Sequence, residues 1–279
     1  MLHTERFSGG EKRAQGRLVD GLRDGSWTFW DRGGRRYAQR EFRRGIRDGW
    51  ALGWHAGSGA RRHEVEFVHG LQEGRALGWH AAGGVAWSGE FAAGLHVGIW
   101  RVMHADGGRA LEGGFERGLR AGLWRAWHVR GGLLQEVEWA GGLRSGREQR
   151  WFSGGRLRSE GTWRRGLREG KWVEHHSEGG MASMGEYRLG MRSGEWRLWF
   201  VNGCVRAEGT VVDGTIEGWW VHWWPNGVKR AEGELRRGMQ EGPWRYWHRD
   251  GSSDSQSTGV YSDDERGEGL GPIAWLSGA

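Results

Sequence analysis

A chain of 279 residues with 41 Lys and Arg against 35 Asp and Glu, net charge +6, is long enough for one or two ordinary domains. Its 55 glycines and 22 tryptophans, beside 8 Phe and 3 Pro, fit neither an ordinary core nor a low-complexity chain, because the glycines recur at fixed phase and so mark turns. A single cysteine, Cys204, excludes a disulfide framework and a cysteine-based metal site, and the charges alternate in sign, which disfavours nucleic acid as a partner.

Residues 1–20 read as an N-terminal half-repeat cap, since Gly10 and Leu18 fall in the columns of the units that follow. Nothing in Met1–Ser8 is apolar enough for a signal peptide, and no stretch spans a bilayer, so a cytoplasmic location is expected. From Gly21 the phrase Gly-(Leu/Met/Ile)-x-x-Gly recurs at Gly45, Gly70, Gly94, Gly118, Gly142, Gly166, Gly190, Gly214 (with Thr215 following) and Gly238. The step is 24 residues throughout, except 25 from Gly45 to Gly70. Residues 21–251 are therefore ten copies of one unit, the signature of a repeat architecture.

Within a unit, positions are counted from its first glycine as zero. Position +13 is Gly in nine units, among them Gly203 and Gly227, and +12 supplies Asn202, Asn226, Asp106 and Asp250. Asn-Gly and Asp-Gly predict two-residue type I′ hairpin turns, with positive φ at both central residues. Such a turn pairs positions whose numbers sum to 25. Position +6, Trp in seven units, then faces +19, which is often Gly, and a ring across a cross-strand glycine supports a weak strand position. Position +21 on the same face is Phe42, Phe91, Phe115, Trp139, Trp163, Tyr187, Val211 and Leu235. Position +9 is Trp30, Trp54, Trp79, Trp127, Trp151, Trp199, Trp223 and Trp247, on the other, charged face unless a bulge brings +6 and +9 together.

No 24-residue unit buries enough apolar surface to offset about 36 kcal/mol of ordering entropy, so the units must stack. The predicted fold is all-β, an elongated repeat array of antiparallel β-hairpins forming one twisted sheet or open solenoid. After Gly251 the phase fails. Residues 252–279 read as a flexible acidic tail with a short apolar end, Pro272–Leu276.

Phrases such as Tyr187-Arg-Leu-Gly190-Met-Arg-Ser-Gly194-Glu-Trp196-Arg-Leu-Trp199-Phe200-Val-Asn202-Gly203 resemble MORN repeats, in particular the bacterial variant of YwqK-like antitoxins, over nearly residues 1–251. The resemblance implies consecutive hairpins and a binding or scaffolding role, with a toxin-like protein as partner. Two departures are visible: the aromatic pair at +9 and +10 is often Trp-His here, and many of the family's lysines are arginines.

No enzyme is expected, because no nucleophile, base and orienting group converge and every polar residue is explained by its column. No cofactor or metal is expected either. The histidines at +10 (His55, His80, His104, His128, His176 and His248) recur two strands apart, about 9–10 Å, too far to share an ion. They are expected to be silent substitutes for Tyr. Tryptophan flanked by Arg suits an interaction hot spot, which makes Trp127, Trp151, Trp199 and Trp223 the candidate partner-binding residues and Gly203 and Gly227 the structural turn glycines. The expected function is a protein-binding scaffold that masks a partner; the runner-up is a module for glycan, choline-like or lipid headgroups, with a glycan or membrane surface as its partner.

Overall fold

The computed structural model describes residues 2–262. Those residues are all β and turn, with no helix. Contacts divide the chain into two bodies, up to Leu143 and from Arg144 onward. In the first, β1 (Leu2–Arg6) to β12 (Leu133–Ala140) pair antiparallel, each with the next. In the second, which takes in β13 (Leu143–Trp151) from its second residue, β13 to β22 (Gly259–Tyr261) do the same. Each body is an open meander of hairpins with the repeat's period.

The turns differ from the sequence expectation, and the difference is an exchange. At the +12 and +13 end, Gly203 donates to the Phe200 carbonyl and Phe200 donates to that of Cys204, both at 2.9 Å. Of the loop residues Val201, Asn202 and Gly203, only Gly203 has positive φ, 84°. That is a three-residue loop, a type I turn closed by a left-handed glycine. Gly227, φ 83°, closes the same loop one unit later. Asn202 serves by its side chain: Oδ1 accepts from the Cys204 amide at 3.1 Å and Nδ2 donates to the Pro225 carbonyl at 2.6 Å.

The two-residue type I′ turn lies instead at the start of the phrase. Positions −1 and 0 both have positive φ, as in Leu189 and Gly190 (51° and 85°) or Asp213 and Gly214 (48° and 84°). A non-glycine residue in this region is disfavoured by about 1–2 kcal/mol, and hydrogen bonds from both amides hold it there. Leu189 donates to Glu169 Oε2 and Gly190 to the Arg168 carbonyl, each at 3.0 Å. Leu189 is otherwise exposed. Leu189→Asn keeps the amide and puts a residue tolerant of this conformation in its place, so a gain of up to about 1 kcal/mol is expected; an unchanged urea midpoint would show that the turn is not strained there.

The register nonetheless sums to 25 where it was expected to. In β17 (Met191–Trp199) and β18 (Val205–Val212), Trp199 faces Val205, but Leu198 faces Ala207 and Trp196 faces Gly209. The three-residue loop shifts the pairing by one and a bulge at Arg206 shifts it back. The outgoing strand carries its own irregularity. Between Glu217 and Trp220 of β19 (Thr215–Trp223), Gly218, at φ 71°, and Trp219 lie opposite no partner in β18. This is the second glycine of the phrase, and it is a bulge.

Beyond Gly251, where a tail was expected, the chain continues as strand. Trp247 bridges Ser253, and β22 pairs with β21 (Met239–Tyr246) so that Trp244 faces Gly259 and Gly242 faces Tyr261. Ser253 to Gly259 holds two residues more than the same interval elsewhere, which hides the register in the sequence. The rest of the expected tail, residues 263–279 with Pro272–Leu276, lies outside the described residues.

Position +6 forms the core. Trp27, Trp124, Trp172, Trp196, Trp220 and Trp244 are buried. Each ring lies over a glycine, but of the preceding unit: a Cβ on Gly209 would sit 2.4 Å from Trp220, and one on Gly185 would sit 2.3 Å from Trp196. Except in Trp196, whose buried Nε1 has no partner among the described residues, the indole N–H of these rings donates back to the same preceding strand, Trp220 to the Thr210 carbonyl at 3.0 Å and Trp172 to that of Thr162 at 3.1 Å. Rings at +21 meet these edge-on, as Tyr187 meets Trp196 at 5.4 Å and 83°. Where +2 is arginine it closes the stack from outside, with Arg168 Cζ 4.2 Å from Trp172 and Arg192 Cζ 4.7 Å from Trp196.

Candidate binding surfaces

The side chains that alternate with the core column form the second face. Arg at +7 meets Glu at +18 in ion pairs: Arg101–Glu112 at 2.7 Å, Arg125–Glu136 at 2.5 Å and Arg197–Glu208 at 2.6 Å. The paired side chains are partly solvated, so each pair adds little stability. Their consequence is a face with both signs of charge in a regular ladder.

The +9 tryptophans stand on this face at the loop end. The outgoing strand runs without a break from +6 to +9, as Trp196–Trp199 shows, so the two rows point to opposite sides. The bulge lies on the return strand. Trp127 in the first body and Trp151, Trp199 and Trp223 in the second are all half-buried. Across the hairpin they face Leu133, Leu157, Val205 and Lys229. Basic side chains from the preceding unit lie near several rings of the row, Arg36 Cζ at 3.9 Å from Trp54 and Arg109 Cζ at 5.9 Å from Trp127. His175 takes the +9 place between the units of Trp151 and Trp199.

Four of the six histidines at +10 hydrogen-bond to the next unit. His55 Nε2–H donates to the Trp79 carbonyl at 2.9 Å, His80 to Met103 at 3.1 Å, His104 to Trp127 at 3.1 Å and His176 to Trp199 at 3.0 Å. Trp224 Nε1 does the same toward Trp247 at 2.9 Å. Each ring thus ties one unit to the next and fixes the spacing of the +9 row. His80→Phe keeps the ring and removes this bond, and a loss of about 1 kcal/mol is expected in thermal or urea unfolding; no loss would mean the bond contributes nothing net.

Two features went unremarked in the sequence. Position +5 exposes large apolar side chains, Trp219 at 53% and Trp50 at 41%, with Ile99 and Leu123 in the same column; the signal was their odd-numbered place beside +7 and +9. The other is a lapse in the core column, where Ala51 and Ala76 replace the indoles in adjacent units. Among the described residues no group of three or more His, Cys, Asp or Glu is placed to hold a metal ion, and no helix is long and apolar enough to cross a membrane.

Burial sets the electrostatics of the core face. His222 at +8 lies between Trp220 and Trp244, ring centroids 6.2 and 6.4 Å away. Burial, then the charges of Arg230 and Arg206, push its pKa down to about 4. Burial likewise lowers Arg230 and Arg206 from the usual guanidinium range.

No family model matches the chain, and no curated protein is similar to it. Among solved structures, a TcdB2–TccC3–Cdc42 structure is 8% identical, with TM-score 0.21 over 91% of this chain and 16% of that one. A TcdB2–TccC3–TEV structure is 11% identical, with TM-score 0.19 over 86% and 13%. The Tc holotoxin pore of Photorhabdus luminescens is 8% identical, with TM-score 0.21 over 90% and 17%. The chain spans only that small part of each, and at such TM-scores the likeness carries no argument.

Proposed function

We propose that the chain is a non-catalytic scaffold that binds a protein partner on the charged face through the +9 tryptophans. The observation that supports this is a division of labour between the two Trp rows. Six of the seven +6 indoles are buried, and four of those, Trp27, Trp124, Trp172 and Trp196, are covered by the arginine at +2. The four candidate +9 indoles, Trp127, Trp151, Trp199 and Trp223, stay partly exposed, and the carbonyls of Trp127 and Trp199 accept from the +10 histidines of the preceding unit. Half-exposed indoles within a rim of ion pairs have the composition of an interaction hot spot and its polar surround. A YwqK-like antitoxin in the cytoplasm, masking a toxin-like protein along this face, is the concrete form suggested by the sequence resemblance. A second reading, stacking of sugar rings, rests on the exposed indoles of Trp50 and Trp219.

The experiment is to express the chain with the product of a flanking reading frame and to measure the affinity of the complex for variants whose folding is checked separately. Trp199→Ala and Trp223→Ala are expected to weaken a protein complex by about 2 kcal/mol or more each, with melting changed less than in Trp196→Ala. Glycan binding lost in Trp219→Ala, with no protein complex at all, would favour the second reading. Undiminished affinity per folded molecule in both +9 variants would place the binding surface elsewhere.

A further inference from the structure

The core column lapses in two adjacent units of the first body. Ala51 and Ala76 stand where seven other units have Trp, and the matching glycine of the preceding unit is replaced by Arg40 and Val65, which face them in register. Loss of two neighbouring indoles leaves a hollow of about 410 Å³ on the core face, within the range of about 300–1,000 Å³ typical of small-molecule sites. At +8 the same units carry Gly53 and Gly78. The His63 ring lies against the first and Trp87 against the second, 2.3 and 2.1 Å from where a Cβ would be. Trp87 in turn stacks on Trp100 at 5.8 Å and 17°, so one wall of the hollow is aromatic and half-exposed.

The polar lining is basic. Arg40, Arg47, His63 and His96 contribute to the hollow, and no carboxylate does. Neither Arg40 nor Arg47 forms an ion pair among the described residues. Arg47 is the +2 arginine of its unit, and elsewhere that guanidinium covers the +6 indole, as Arg120 covers Trp124 at 4.3 Å. In this unit the indole is missing, and Arg47 reaches only Phe67, at 5.1 Å. Arg40 and His63 are both lowered from their usual pKa, first by burial and then by neighbouring cations, the mark of positive charge gathered without an anion to balance it.

We propose that this hollow binds a small planar aromatic anion, whose ring takes the place of the missing indoles beside Trp100 and beneath Arg47 and whose carboxylate or phosphate meets Arg40, Arg47 and His63. Arginine suits such a ligand twice, by stacking on its ring and by paired donation to its oxygens. A cation of the same shape would meet like charge. This site is separate from the charged face proposed to bind a protein.

The test is calorimetric titration of the full chain with indole-3-acetate and with adenosine 5′-monophosphate, against tryptamine and adenosine as ring-matched controls without the anion. Quenching of the tryptophan emission serves as a second readout. Saturable one-to-one binding is expected for at least one anion, at least about tenfold tighter than for its control. Which of the two binds distinguishes a carboxylate ligand from a phosphate one. Arg47→Gln, at an exposed position, should weaken it by about tenfold or more with the melting temperature kept. Arg40→Gly with Ala51→Trp restores the pair used by the other units, fills half the hollow, and should abolish binding. Tryptamine binding as tightly as indole-3-acetate, affinity unchanged in both variants, or no saturable binding of either anion would each overturn the proposal.

Discussion

Gly209→Ala is expected to destabilise the second body by about 1–3 kcal/mol, although it adds only a methyl group. Gly209 has ordinary backbone dihedrals, absent from the positive-φ residues, so the cost is not conformational. A Cβ there would lie 2.4 Å from Cδ2 of Trp220, a ring that is fully buried and bonded to the Thr210 carbonyl. The indole cannot retreat without losing that bond and its packing. Trp220→Ala should cost about 3–5 kcal/mol, the range for a buried aromatic truncated in a core. The informative variant carries both changes. Once the indole is gone the methyl meets nothing, and alanine for glycine then restricts the unfolded chain, a gain of about 0.4–1 kcal/mol. The cycle should therefore be strongly non-additive, with Gly209→Ala harmful in the first background and neutral or favourable in the second. Additive urea midpoints would mean that the ring does not rest on this glycine.

Acid should weaken the fold through His222. Its folded pKa of about 4 lies below the usual value near 6.5 for an unfolded chain. Above about pH 6.5 neither state is protonated at this ring and its contribution is fully present. As pH falls toward 4 the unfolded chain takes up a proton that the buried ring refuses, so stability falls with pH, as linkage requires when the unfolded state binds more protons. The loss should reach about 2 kcal/mol between pH 7.5 and 5 and about 3 kcal/mol by pH 4. His222→Phe removes the titration and keeps a ring between Trp220 and Trp244. The difference in unfolding free energy between variant and wild type, followed from pH 7.5 to 5, isolates this residue from the carboxylates. A difference that does not change over the interval would show that His222 is not held neutral by burial.

The period, the all-β class and the alternation of rows were legible because each follows from a repeated column. The pairing of Trp196 with Gly209 was legible too, although two irregularities that cancel produce it. The turns were misread for a physical reason. Asn202-Gly203 carries the usual type I′ signal, but the asparagine is spent on capping its own loop and on the next unit. The true type I′ site offers Leu189, Arg165 or His69 at its first positive-φ place, residues with no preference for it, held by amide hydrogen bonds that only the fold supplies. Register alone could not tell which neighbour each ring covers, since Gly209 is in line with both Trp196 and Trp220. The lean of the side chain decides it. The hollow was legible in principle, as two consecutive alanines in a tryptophan column, each with a large residue where the glycine should be.

Because an indole and the glycine beneath it belong to successive repeats, the fold places a rule on how the gene can change length. Excising residues 190–213 would join Leu189 to Gly214 and bring Trp220 over Gly185, a seam identical in kind to the one removed. Excising 70–93 would instead bring Trp100 against Val65, whose branched side chain fills the space that the ring needs. Whole copies can thus be gained or lost among the units from Gly166 onward, while the stretch around Ala51 and Ala76 must be inherited as a block.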